Sequence, residues 1–220
     1  MPAGIRVRNQ FFTTQIDHNF KNYGFVQIIP VTVSMTFPSL SEQGLIQVTV
    51  PGVNSLAGIR CGTFFYCPLG SYFDGTNWLY TFKFLPEFVF TGTATETVYV
   101  YVFNTPASGG FSNLGIRIRN PVTGEIAFHS DMRPLYMEAK RPCTSGFSGS
   151  GGRVYCPIIT RFCFINNFYP GVGYRLEPYA LRCVGNDIQV KQFSLPSSYA
   201  YFASHYEAGE YAVIDVTGLS

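Results

Sequence analysis

The sequence predicts an all-β chain, and three observations carry that prediction. Aromatic residues make up 17% of 220 positions, with 21 Phe and 15 Tyr, and such side chains suit a pleated, half-buried surface. Apolar and polar residues alternate with period two in many short runs. The 22 Gly and 14 Pro break those runs at turn-like intervals. Helical periodicity is hard to find anywhere. Hydrophobic residues account for 46% and charged residues for only 13%, about half the usual charged share. That balance argues against disorder and implies that partners cover some apolar surface.

The first half reads as a series of strands. In residues 4–8 (GIRVR), Ile5 and Val7 share one face while Arg6 and Arg8 share the other. Residues 25–37 (FVQIIPVTVSMTF) form a long β-branched run in which Pro30 marks a break or a sheet edge. LIQVTV and GIRCGTFFYC follow. In SYFDGTNWLYTFKF, Asp74-Gly75 between two aromatic runs is a hairpin signal. Residues 96–103 (ETVYVYVF) close the half as a strand.

Residues 104–113 (NTPASGGFSN) have linker composition. GIRIRN then nearly repeats the GIRVRN that begins at Gly4, with Gly4 and Gly115 standing 111 positions apart. NPVTGE supplies a proline and Gly124 for a bulged turn, and EIAFH returns as a strand. CTSGFSGSGG reads as a flexible loop; RVYCPII, RFCFI, YRLEPYALRCV, IQVKQF and EYAVIDVT read as strands. Glu210 opens the last strand as Glu96 opens the last strand of the first half. Matching starts, matching ends and a linker at the joint point to an internal duplication. The expectation is two tandem β-sandwich-like domains, 1–104 and 115–220, joined by a linker at 105–114, each of about 105 residues. The turn after Asn9 lacks the glycine of the second copy, so that hairpin is expected to be built differently or to be longer.

Bulk charge excludes several functions. The formal charge is +2 and the pI about 8.2, and no Lys/Arg run is present to neutralise a row of phosphates, so nucleic acid is not an expected partner. No basic segment followed by an apolar one opens the chain. The longest apolar run, VYVYVF, falls far short of the ~20 residues of a membrane helix. A cytosolically made chain without membrane insertion is the expectation. None of the six Cys forms a CxxC and only three His exist, so zinc spacing is missing and no metal or cofactor is expected. Buried free thiols and disulfides formed later both remain open.

Catalytic constellations are sparse. His18 follows Asp17, and His129 precedes Ser130 and Asp131. A general base with a carboxylate orienter is one reading, but neighbours on a strand face opposite ways, which favours a strand-end or turn role. His205 lies near two glutamates without a nucleophile motif. A glycosidase carboxylate pair is a third, minor reading, since such residues come from distant strands. The aromatic loop tips are better contact candidates: Tyr72, Phe73 and Trp78 around one turn, Phe168, Tyr169 and Tyr174 around another. They can stack on sugars or anchor a protein, or simply end core strands. Arg6, Arg8, Arg117 and Arg119 are candidates for inter-subunit bidentate pairs or for solvated ladders facing acids such as Glu125.

Gly115, Ile116, Ile118, Asn120, Gly124, Ile126, Phe128, Ser130 and Asp131 together resemble a motif of small tail-associated proteins of tailed bacteriophages. The N-terminal copy resembles it through Asn9 and again at Ile16 and Asp17. The resemblance covers about a fifth of the chain. It implies a non-enzymatic structural or adaptor protein of a tail tip or baseplate, made in the host cytoplasm and carried in the virion. It further implies several copies, other tail proteins as partners, and a host surface glycan or receptor as a further contact. The alternative is a carbohydrate-binding β-sandwich module that uses the aromatic loop tips.

Overall fold

The computed structural model describes residues 6–8, 14–17, 22–37, 44–87, 92–105, 114–161, 164–169, 173–195 and 205–219. For 6–8, 14–17, 37, 164–169, 173–174 and 205–207 it describes the backbone only. Among the described residues every regular element is a strand, as the aromatic and β-branched composition requires. No helix there is long and apolar enough to cross a membrane.

The first half supplies β1 (Arg6–Arg8), β2 (Thr14–Asp17), β3 (Gly24–Phe37), β4 (Leu45–Pro51), β5 (Leu56–Arg60), β6 (Phe65–Phe73), β7 (Asn77–Leu85) and β8 (Gly92–Asn104). The second supplies β9 (Arg117–Arg119), β10 (Ile126–His129), β11 (Tyr136–Pro142), β12 (Phe147–Ser148), β13 (Tyr155–Arg161) and β14 (Phe164–Tyr169). It continues with β15 (Gly173–Val184), β16 (Asp187–Gln192), β17 (His205–Glu207) and β18 (Glu210–Asp215). β12 falls inside the stretch expected to be a flexible loop. It pairs there with β16.

One layer contains two three-stranded sheets, β3-β8-β5 and β11-β18-β13. In each, the strand that closes its half lies in the middle. The facing sheet runs β12-β16-β15-β6-β7-β4, with β14 added to β15 and β17 to β14. Read outward from the β6/β15 contact, the two halves give the same sequence of roles: β6-β7-β4 on one side, β15-β16-β12 on the other. The bulges correspond too. The ladder between β3 and β8 skips Val26, and the ladder between β11 and β18 skips Glu138, 112 positions later.

The halves meet directly. Leu181 of β15 pairs with Tyr66 of β6, and the Tyr66 hydroxyl donates to the Pro157 carbonyl of β13 across the sandwich at 3.3 Å. One cluster of buried side chains fills the space between the layers, combining Val33, Val100, Phe84 and Tyr66 with Leu181, Cys183, Tyr211 and Val213. The segment 105–114 therefore divides the sequence but not this core. Residues 106–113 lie outside the described residues. Smaller clusters coat the outer faces, one around Phe103, Cys156 and Ile214, the other around Phe65, Cys67 and Leu176.

Two local expectations resolve clearly. β3 runs unbroken through Pro30 and forms the edge of its sheet, where a residue without an N–H leaves no ladder bond unmade. The Asp74-Gly75 turn joins β6 to β7, with Gly75 at φ 101°. The Asp74 carboxylate accepts from the N–H groups of Thr76 (2.8 Å) and Asn77 (2.7 Å), which holds its pKa below the usual value.

Candidate functional site

Both copies of the Gly-Ile-Arg motif build a two-stranded antiparallel hairpin. In the first, Arg6 lies opposite Asp17, Val7 opposite Ile16 and Arg8 opposite Thr14. In the second, Arg117 lies opposite His129, Ile118 opposite Phe128 and Arg119 opposite Ile126. The ladders skip one residue at the same place, Gln15 and Ala127, again 112 positions apart. The loop between the paired residues is 9–13 in the first copy and 120–125 in the second, so the first is shorter by one residue rather than longer. Residues 9–13 lie outside the described residues, as do Gly4 and Ile5.

The second hairpin is held from within. The Asn120 side chain accepts from Val122 N (2.8 Å) and Thr123 N (3.1 Å), and the Gly124 N–H donates to Asn120 O at 2.8 Å. Gly124 sits at φ 72°, which glycine adopts without a steric penalty. Gly115, at φ 115°, brings the Ile116 N–H to the Ser130 hydroxyl at 3.1 Å. Arg119 is exposed and donates to the Gly124 carbonyl at 2.7 Å. Its cross-strand neighbour is Ile126, not Glu125. Arg117 is exposed as well. Ile118 and Ile126 are buried, whereas Leu114 is 83%, Ile116 66% and Val122 84% exposed. The motif thus presents three bare aliphatic side chains beside two arginines.

The aromatic tips behave differently from one another. Tyr72 is 68% exposed, and nearby Val53 is exposed too. Trp78 is half-buried against the central cluster, with Phe73 at 5.3 Å and Tyr80 at 6.2 Å between ring centroids. Its indole N–H donates to the Val53 carbonyl at 2.8 Å. Phe168 pairs with Tyr174 and Tyr169 with Gly173 in the backbone ladder between β14 and β15. The side chains of Phe168, Tyr169 and Tyr174, like those of Arg6 and Arg8, lie outside the described residues.

His129 is 1% exposed at the end of β10, and its Nδ1 accepts from the Asp131 N–H at 3.1 Å. The Asp131 carboxylate stands 3.4 Å from the same Nδ1 at this strand end. His18 lies outside the described residues, and only the backbone of Asp17 and His205 is described. Cys61, Cys67, Cys143, Cys156 and Cys183 are free and buried; Cys163 lies outside the described residues. No group of His, Cys, Asp and Glu suited to a metal ion occurs among the described residues.

Several structural features gave no signal in the sequence. The Glu96 carboxylate grips the turn at 62–64, and Lys83 is buried on β7 opposite Cys67. Between the layers, a cavity of about 210 Å³ is lined by Tyr66, Tyr80, Phe82, Pro157, Ile159 and Arg161. These residues come from strands far apart in sequence, so no local pattern announces them.

Comparison of the chain with known protein families, curated proteins and solved structures finds no match.

Proposed function

We propose that this chain is an assembly protein: a duplicated, non-enzymatic structural or adaptor subunit of a bacteriophage tail tip or baseplate, used in several copies. The observation that carries the reading is the motif hairpin, where Leu114, Ile116 and Val122 are exposed beside Arg117 and Arg119. Leu114 and Ile116 stand at the open end of this hairpin and Val122 at its turn, and exposed aliphatic side chains are surface that another protein can cover. Arginines at its rim add directional hydrogen bonding to that contact. The duplication is supported by the matching strand orders and by the two pairs of bulges spaced 112 residues apart. Duplication gives one chain two versions of the same contact module. The motif resemblance to tail-associated proteins falls on this hairpin.

The test is immunogold electron microscopy with antibody against this chain, on particles from the phage or prophage that encodes it. Label at the distal end of tails is the expected result. Clean particles without label would overturn the tail reading.

The second reading, a carbohydrate-binding module, draws on a different part of the surface. Trp78 is packed between other rings and its N–H is bonded, so the β6–β7 tip offers only the Tyr72 ring as an open platform.

A further inference from the structure

The sandwich ends differently at its two sides. β3 and β4 are the terminal strands of their layers on one side, with Met35 of β3 against Gly44 at the start of β4. No Lys, Arg, Asp or Glu occurs in either strand. β11 holds the place of β3 at the other end of the layer and carries Glu138, Lys140, Arg141 and Pro142. Sheet edges are normally guarded by charge, proline or bulges against pairing with another chain. Both strands are bulged, but β11 adds charge along its length, while β3 adds only Pro30.

The outward backbone of β3 can be read from its bonds. Successive residues of a strand turn their N–H and C=O groups toward opposite neighbours. The Phe25 N–H points away from β8, donating to Arg133 O at 2.7 Å, and the bulge at Val26 shifts the alternation by one residue. Ile28, Pro30, Thr32 and Ser34 therefore face away from β8, in agreement with a proline that leaves no ladder bond unmade. Among the described residues no strand pairs with Thr32 or Ser34 on that side. Ile29 and Val31 pack on the central cluster yet stay half-buried, because no described strand lies beyond β3 to cover them.

A second copy of β3 complements this edge. A two-fold axis at Thr32 lays the strand antiparallel on itself. Thr32 and the partner's Thr32 then exchange both backbone bonds, and the Ser34 N–H meets the carbonyl of the partner's Pro30. Each outward donor from Pro30 to Ser34 finds an acceptor, and only the donor that proline lacks is missing. On the core face Val31 comes opposite the partner's Val33, which covers apolar surface left open in one chain. On the outer face threonine comes opposite threonine, a favourable cross-strand pair. The sheet already uses such a pair between β3 and β8, where the Ser34 and Thr95 hydroxyls stand 2.6 Å apart. The join buries no charge, so it avoids the desolvation cost that a charged edge would carry. We propose that two copies of this chain join through β3 as a two-fold dimer with one continuous sheet. An isologous contact of this kind needs no second protein and closes on itself. The inference deepens the several-copies part of the assembly reading and is tested without any particle.

The experiment is sedimentation equilibrium of the full chain over a wide concentration range. The parent should be a dimer. Thr32→Lys sets like charges opposite each other across the axis, and should raise the dimer dissociation constant about tenfold or more. Thr32→Glu should do the same, and an equal mixture of the two variants should dimerise again, because opposite charges then meet. Ser34→Pro, which removes an outward N–H without adding charge, should also weaken the dimer. Thr97→Lys lies on the same exposed face one strand inward and should remain dimeric. Far-UV circular dichroism matching the parent confirms that each variant is folded. A parent that stays monomeric, a Thr32→Lys variant as dimeric as the parent, or a Lys/Glu mixture that stays monomeric would each overturn the proposal. Particles without gold label would overturn the tail reading and leave the dimer standing.

Discussion

Glu96 holds the turn that follows Cys61. One carboxylate oxygen accepts from the Gly62 N–H at 2.7 Å; the other accepts from the Thr63 N–H at 2.9 Å and the Cys61 thiol at 3.1 Å. That turn carries Phe64 and Phe65 into two different clusters, one between the layers and one outside them. Glu96→Ala strips several donors of their acceptor at once, and a loss of about 1–3 kcal/mol is expected by urea unfolding. Glu96→Gln keeps one acceptor oxygen and should recover part of that loss.

The shared core makes a second prediction, at Gly58 on β5. A Cβ placed there would stand 2.7 Å from Cys156 Sγ and 3.0 Å from Ile158 Cγ1 of β13. Those atoms belong to the other half of the chain and are packed on all sides. Gly58→Ala should therefore destabilise the protein by about 1–3 kcal/mol through overpacking. The transition should stay single in calorimetry, because both halves contribute to one cluster. Two resolved transitions, with only one moved by the substitution, would show that the halves unfold separately.

The same relationship explains what the sequence could and could not disclose. The alternation in GIRIR and EIAFH is local, so the hairpin, its glycine turn and the buried Ile118 and Ile126 were all readable. Strand identity followed from composition, while Pro30 left a break and an edge equally open for β3 until the ladder showed an unbroken edge strand. The packing of β5 against β13 and the pairing of Leu181 with Tyr66 depend on contacts about a hundred residues apart. Nothing in a local window distinguishes two separate sandwiches from two halves that share a core. The surroundings of Arg182 were hidden for a related reason. Phe65, Glu87 and Gln189 lie in three unremarkable segments, and only the sheet brings them to one side chain.

The cysteines make a prediction about pH. Burial pushes the Cys67 thiol up to about 12, with the ammonium of Lys83 opposing the rise. Burial likewise pushes Cys183 up to about 12, with Arg60 opposing. Cys61 rises as well, through burial and then through its bond to the Glu96 carboxylate. An unfolded thiol ionises near 9.0, so the folded state holds its thiol protons more tightly. The stability linked to these groups is complete below about pH 9 and is lost as pH rises from there toward 12. Thermal midpoints should be level across neutral pH and fall steeply above pH 9. Native protein should expose no more than Cys163 to a thiol reagent, with the other five reacting only on unfolding. Rapid modification of several thiols in the native state would contradict the buried assignment.

The motif hairpin supplies the last prediction. Leu114 and Val122 make little use of their apolar surface within the chain, since more than four-fifths of each is exposed. Replacing either with serine removes almost no buried area, so stability should change by less than about 0.5 kcal/mol. A partner that covers them would lose apolar contact on both residues, at up to about 25 cal/mol per Å² of surface no longer hidden from water. The Leu114→Ser, Val122→Ser double variant should therefore unfold like the parent in urea, yet incorporate poorly into particles when it replaces the parent during phage production. Arg117→Ala should weaken incorporation in the same assay, and a Thr123→Ser control on the same loop should not. Normal incorporation of the double variant would show that the aliphatic surface of this hairpin is not the assembly contact.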